Sequence, residues 1–424
     1  MSSAETLHVW YRPGGSTARL VGRLHRDAVG RMGFEYSAEW LGDGFAISCS
    51  LPLGAGRSRA GADAAHRFFA NLLPEGEARE RVVRMLRIPN TDFDLLRAVG
   101  GECAGALAVS TSGSPSVTSA VGRYRALQED ELAELAARRG YVHADQSGER
   151  PRLSLAGAQH KCPVRVQGGT YLLPVNDAPS THILKFEVAD FRNVPAYETF
   201  TTALAKAAGL ATVDVELRQI RRRHYVEIAR FDRIAKSDGA IRRLHQEDFC
   251  QALGFGHERK YEADGGPSLA DCVRLLRDTV ADPVIDIERL MAWQAFNWLA
   301  GNADGHAKNL ALLHSGRTIR LAPFYDLVCT RAIPRVDRRL AMGVGGETDP
   351  GKISASHWQA LAVECGIRPR FLQPLVQALA GRILQSLQPV RSEFERRYGP
   401  WPALQRIESV VVRQCRRANA GLKG

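Results

Sequence analysis

The chain has few cysteines, and none falls at a telling spacing. Its eight thiols are scattered through 424 residues with no C-x-x-C pair. That pattern argues against a disulfide framework and a structural zinc site. No run of about 18 apolar residues occurs, so no transmembrane helix is expected. The opening segment "MSSAETLHVWYRPGG" has no apolar signal core, and a cytoplasmic location is the expectation. No basic tail or arginine-rich tract is present to bind DNA directly. What the chain does have is an ordinary globular composition, 45% hydrophobic and 24% charged, with a net charge of +11. Such a surface attracts polyanions such as nucleic acid or an acidic protein, and it equally serves solubility.

The length suits two or three domains. Residues 1–110 begin with short, turn-punctuated strand candidates: "LHVWY", "ARLVGRL", "GFEYSAEW" and "FAISCSLPL". "AHRFFANLLPEGEARERVVRMLR" then reads as helical, with Leu72, Leu73, Val82, Val83 and Leu86 as its apolar positions. The Ser/Thr/Gly/Pro-rich stretch 110–120 is the candidate linker. Residues 111–235 return to strands around the helix "VPAYETFTTALAKAAGL", which sets Tyr197, Phe200, Leu204 and Ala208 on one face. Residues 236–424 read as mostly helical, broken by one hairpin. The Arg221-Arg222-Arg223 cluster is expected to be a solvated hairpin turn.

Three pieces carry chemistry. "SLAGAQHK" (154–161) is a small-residue turn between strands. Its backbone N–H groups could cradle a phosphate, although it is not a Walker loop and a plain turn explains it as well. "THILKFE" sets Lys185 inside an apolar strand, where an unpartnered ammonium is costly. It suits a nucleotide phosphate, as the strand lysine of a kinase does, or an edge position turned to water. Glu198 on the next helix is a candidate ion-pair partner.

The third piece is "NADGHAKN" (302–309), placed after an amphipathic helix marked by Ile287, Leu290, Met291, Ala295 and Trp298. The Gly305 turn is expected to break that helix. Alone, the motif allows a metal site, a proton-transfer site or a polar loop. Asn309 follows Asp304 by five residues, a β-hairpin is expected next, and Asp326 stands just after it. Protein kinases use this order: catalytic-loop Asp, Asn five later, then a metal-binding Asp. Phosphoryl transfer needs one carboxylate for the hydroxyl nucleophile and hard oxygens for Mg²⁺. Lys308 lies between them and could neutralise phosphate charge. His306 suits a structural turn or a proton carrier. "ARFDR" (229–233) ends a strand where a kinase hinge would lie.

With "FFANLLPEG" (68–76), "GGECAGAL" (100–107), "RFDR" (230–233), "QEDF" (246–249), "KYEADGGP" (260–267) and "PFYD" (323–326) added to these, the chain resembles the HipA-type serine/threonine kinases, toxins of bacterial toxin–antitoxin pairs. The resemblance implies an α+β, protein-kinase-like two-lobed fold with an N-terminal β-rich subdomain and a mostly helical C-terminal lobe. It implies ATP and Mg²⁺ as cofactors, Asp304 as catalytic base, and Asn309 and Asp326 as metal ligands. Lys308 and His306 would face the nucleotide, and Lys185 would contact its phosphates. Ala156, Gly157, Ala158, Gln159, His160 and Lys161 would cover them. Backbone groups of Ala229 and Phe231 would meet the adenine, and Ser154 would be the site of self-inactivating autophosphorylation. The implied partners are a helix-turn-helix antitoxin (HipB-like), operator DNA mainly through it, and an aminoacyl-tRNA synthetase substrate, the glutamate enzyme first. A small-molecule kinase on the same fold, or a catalytically silent DNA-bound corepressor, are the alternatives.

Overall fold

The computed structural model describes residues 5–14, 18–53, 62–113, 122–138, 159, 161–187, 191, 193–316 and 318–421. The architecture is α+β. The chain forms two compact units, Met1–Phe186 with Glu227–His257 and Leu312–Arg317, and Glu187–Val226 with Glu258–Ala311 and Thr318–Gly424.

The first unit opens with a four-stranded antiparallel sheet in the order Met32–Tyr36, Arg19–Arg26, Thr6–Tyr11, Leu107–Ser110. Leu7 and Val9 alternate inward and, with Val21 and Leu24, are buried with Trp40, Phe68, Phe69 and Phe93 in one core. Two expectations fail here for local reasons. "GFEYSAEW" stops being a strand at Tyr36, because Ser37 accepts the Trp40 N–H on its side chain and caps the helix Ala38–Asp43. "FAISCSLPL" forms a turn with a lone Ser48–Leu51 bridge. Its backbone groups go to side chains instead of a ladder: Ile47 N–H to Tyr36 Oη at 3.1 Å and Ser50 N–H to Ser48 Oγ at 3.1 Å. The helical stretch from Ala65 is also two helices, Ala62–Ala70 and Gly76–Leu86. Pro74 disfavours helix in the residue before it, and Leu72 and Leu73 fill the break as buried side chains.

The same unit holds four further antiparallel strands, Arg123–Ala126, Thr170–Val175, Lys161–Gln167 and His182–Phe186, neighbours in that order. A buried ionic cluster ties this sheet region to the N-terminal segment. Glu102 Oε1 accepts from Ser180 N–H at 2.7 Å, from Arg230 at 3.2 Å and from Arg233 at 3.2 Å. Asp232 accepts from Arg230 at 2.8 Å, from Arg233 at 2.8 Å and from the Gly105 N–H at 2.7 Å. Burial would push both carboxyls up, but Arg230 and Arg233 hold both below the usual carboxylate range. "GGECAGAL" and "RFDR" are thus two halves of one structural lock.

In the second unit the helix Val194–Ala207 carries Pro195 in its first turn and buries Tyr197, Phe200 and Leu204. Ala208, on the same face, is buried too. Arg221, Arg222 and Arg223 are exposed where the strands Val215–Ile220 and Arg223–Ala229 meet, as a solvated turn requires. The helices Leu269–Thr279, Pro283–Ala300, Ala355–Glu364, Pro369–Tyr398 and Gln405–Gly421 make the rest mostly helical. Pro283–Ala300 is buried at every position from Trp293 to its end, and its Trp298 packs on Trp358 with ring centroids 5.6 Å apart. No helix is long and apolar enough to cross a membrane among the described residues.

Candidate functional site

The helix Pro283–Ala300 delivers the chain into "NADGHAKN", and it ends one turn earlier than expected. Gly301, at φ 75°, caps it, and its N–H donates to Asn297 O. That left-handed conformation favours glycine. Gly305 has a different task. A Cβ there would lie 2.4 Å from Asn297 Nδ2, so only glycine lets the loop press onto the helix.

The loop then folds on itself. Asn302 donates to Asn297 Oδ1 at 3.0 Å and accepts the Asp304 N–H at 3.1 Å. The carbonyl of Asp304 accepts from His306 N–H at 2.9 Å and from Asn309 Nδ2 at 2.9 Å. Ala303 is pinned through its N–H to Thr330 Oγ1 at 2.8 Å, and its carbonyl accepts the Ala341 N–H at 3.0 Å. The result is a rigid loop that leaves the Asp304 side chain exposed while His306, Lys308 and Asn309 are buried. Strands Ala311–Ser315 and Thr318–Leu321 follow, then Tyr325, whose hydroxyl donates to Lys308 O at 2.7 Å. Asp326 comes next at φ 58°, a left-handed conformation uncommon for a residue with a side chain. Such strain persists where the surroundings enforce it and clusters at functional sites.

The imidazole of His306 feels the charges of this loop. Burial lowers its pKa, Asp304 and Asp326 raise it, and Lys260 and Lys308 lower it. The net shift is downward, which keeps the ring neutral at physiological pH. His306 therefore sits among two carboxylates and two ammonium groups, edge-on to Tyr261 at 5.1 Å.

The donor set suits a hard divalent cation. Asn309 commits its amide nitrogen to Asp304 O, which leaves its amide oxygen as the end for a cation, and Asp326 offers a half-buried carboxylate. Among the described residues no group of three His, Cys, Asp or Glu forms a metal cage. One carboxylate and one amide oxygen, completed by phosphate and water, is a mode Mg²⁺ uses.

In the first unit, Lys185 is buried on the strand His182–Phe186 and lies directly across from Lys161 on Lys161–Gln167. Directly opposed residues share a face, and two like charges there suit an anion. Gln159 donates to Phe186 O at 2.9 Å beside them. Ala229 and Phe231 flank Arg230, whose N–H donates to Thr181 O at 3.0 Å and whose side chain anchors the ionic cluster. Glu198 is buried in its helix. Ser154, Ala156, Gly157, Ala158 and His160 lie outside the described residues.

The structure thus brings Asp304, His306, Lys308, Asn309 and Asp326 together, and separately Gln159, Lys161 and Lys185. Sequence reasoning missed Tyr261, whose hydroxyl donates to Asp304 Oδ1 at 2.6 Å. The signal was the motif "KYEADGGP", quoted without a role.

Residues 153–387 match the model of the HipA-like C-terminal domain, and residues 14–110 match that of the HipA N-terminal domain. The Y4mE protein of Sinorhizobium fredii is 36% identical over 379 residues, 86% of this chain and 87% of its own length. The serine/threonine-protein kinase toxin HipA of Shewanella oneidensis is 29% identical over 406 residues, 92% of this chain and 90% of its own. The fold is similar to HipA in the solved complex of Shewanella oneidensis HipA, HipB and operator DNA. There the TM-score is 0.83 at 26% identity, with 98% of both chains covered.

Proposed function

The chain belongs to the HipA-like family, and on that premise we propose that it is an ATP- and Mg²⁺-dependent serine/threonine protein kinase, the toxin of a toxin–antitoxin pair. The observation that carries this reading is the loop in which Asn309 Nδ2 holds the backbone of Asp304, with Asp326 in a strained conformation beyond it. Asp304, exposed, accepts the proton of a substrate hydroxyl. Asn309 and Asp326 offer oxygens to the cation, and Lys308 adds positive charge near the transferred group. Lys161 and Lys185, with the segment Ala156–His160, hold the phosphates, and the backbone of Ala229 and Phe231 meets the adenine. His306, buried and neutral, serves packing between the two carboxylates. Bound ATP supplies the phosphoryl group, and Mg²⁺ neutralises its charge.

Family resemblance extends the proposal to partners. The Shewanella oneidensis HipA is solved with HipB and operator DNA; a helix-turn-helix antitoxin would bind this chain in the same way, and the +11 net charge would favour phosphate contacts in the joint complex. The substrate is a translation protein, an aminoacyl-tRNA synthetase with the glutamate enzyme first. Phosphorylation of Ser154 adds a dianionic group to the phosphate-covering segment, where it repels bound phosphates and switches the kinase off.

The test mixes purified protein with γ-labelled ATP, Mg²⁺ and a bacterial lysate. Label on serine or threonine of protein is expected, together with one phosphate on the chain itself that Ser154→Ala removes. Label confined to a small metabolite would favour the small-molecule kinase, and self-labelling that survives Ser154→Ala would move the modification elsewhere.

A further inference from the structure

We infer that Tyr261 is a positioning residue for phosphoryl transfer: its hydroxyl holds one oxygen of the Asp304 carboxylate and leaves the other for the substrate. The inference rests on the reading of Asp304 as catalytic base.

Asp304 needs such a partner. Its side chain is exposed, and among the described residues the bond from Tyr261, 2.6 Å to Oδ1, is the one hydrogen bond its carboxylate accepts. An exposed carboxylate without a donor turns about its side-chain bonds. A phenol donating to it makes a charge-assisted bond, and 2.6 Å is the length expected of one.

Several residues of "KYEADGGP" form the turn that carries the tyrosine. The carbonyl of Tyr261 accepts the N–H of Asp264 at 3.1 Å and that of Gly266 at 2.9 Å, which closes a tight turn. Gly265 takes φ +76° in that turn. A Cβ on Gly266 would stand 2.1 Å from Arg259 O and 2.6 Å from Tyr261 O, so the turn admits only glycine there. The next residue docks the turn. Glu262 N–H donates to Ala341 O at 3.1 Å, and Glu262 Oε2 accepts the Gly343 N–H at 2.6 Å. Ala341 N–H in turn donates to Ala303 O, the residue before Asp304. Turn and catalytic loop therefore share one backbone scaffold, and the Tyr261 ring is steadied edge-on by His306 at 5.1 Å and 81°.

In the reaction the substrate hydroxyl passes its proton to Asp304 Oδ2 as its oxygen bonds to the γ-phosphorus and the bond from that phosphorus to ADP breaks. The proton of Tyr261 stays on the phenol throughout. The tyrosine acts only through the carboxylate it orients.

Tyr261→Phe keeps the ring against His306 and removes only the hydroxyl. We expect kcat for protein phosphorylation to fall about ten- to a hundredfold, the scale of a misaligned catalytic group, with KM for ATP unchanged. In an Asp304→Asn background the same change should add nothing, because its route of action is already gone. A kcat equal to or above that of the native chain would overturn the inference, as would an equal fold loss in both backgrounds, the mark of a purely structural contact. Full activity of Asp304→Asn would overturn the base reading itself. An inert Asp304→Asn beside an unimpaired Tyr261→Phe would overturn this inference alone.

Discussion

Asp326→Asn is expected to lower phosphoryl transfer about a thousandfold, equivalent to ~4 kcal/mol of transition-state stabilisation, while leaving the fold intact. The substitution suits the question because it isolates charge. Asp326 sits at φ 58°, a conformation asparagine also tolerates, so the backbone need not move. What would be lost is the one carboxylate of the donor set proposed for the cation. The amide of Asn309 remains but binds Mg²⁺ weakly alone, since hard cations rely on anionic oxygen. The check is transfer from γ-labelled ATP at saturating Mg²⁺, with a melting curve beside it. A rate within tenfold of the native chain would remove Asp326 from the metal site.

The second large effect concerns stability. Glu102→Ala should destabilise the protein by about 3–5 kcal/mol, the cost of breaking a buried ion pair from one side. Glu102, Arg230, Asp232 and Arg233 have side chains at most 2% exposed. Without Glu102 two guanidiniums share one carboxylate, and the Ser180 N–H loses its acceptor. A matched control is Glu134→Ala, which removes the solvent-exposed pair with Arg138 and should cost under about 1 kcal/mol. The lock also carries a pH signature. Both carboxyls are held below their unfolded values. Their stabilisation is therefore complete above about pH 4.5, the region of unfolded carboxyl groups, and is lost as pH falls below it. Urea unfolding at pH 7 and pH 3 would show this as a loss that is smaller in the Glu102→Ala variant, which keeps only Asp232 of the two carboxyls. Equal denaturation midpoints for native chain and variant would refute the lock.

The residues that sequence reasoning could place are those whose chemistry is local. Asp304 and Asn309 sit five apart, and their hydrogen bond closes within one loop. The helix faces at Tyr197 and Phe200 follow from periodicity alone. Long-range partners were out of reach. Tyr261 meets Asp304 across 43 residues, and Arg230 meets Glu102 across 128. No spacing rule connects such pairs, although each lay in a quoted motif. Errors came where side chains outcompete the backbone. The segment from Phe45 looked like a strand, but Tyr36 and Ser48 supply its hydrogen bonds. Gly305 looked like the helix stop. Gly301 is the stop, and Gly305 answers to the crowding of Asn297.

On this reading Asp304 accepts the proton of a protein hydroxyl as phosphate is transferred to it. The most direct measurement compares the native chain with Asp304→Asn for label passed from γ-labelled ATP to protein, with nucleotide binding measured alongside. A loss of about 10²–10⁴-fold is expected, with ATP affinity unchanged. Equal labelling of protein by the two would contradict it.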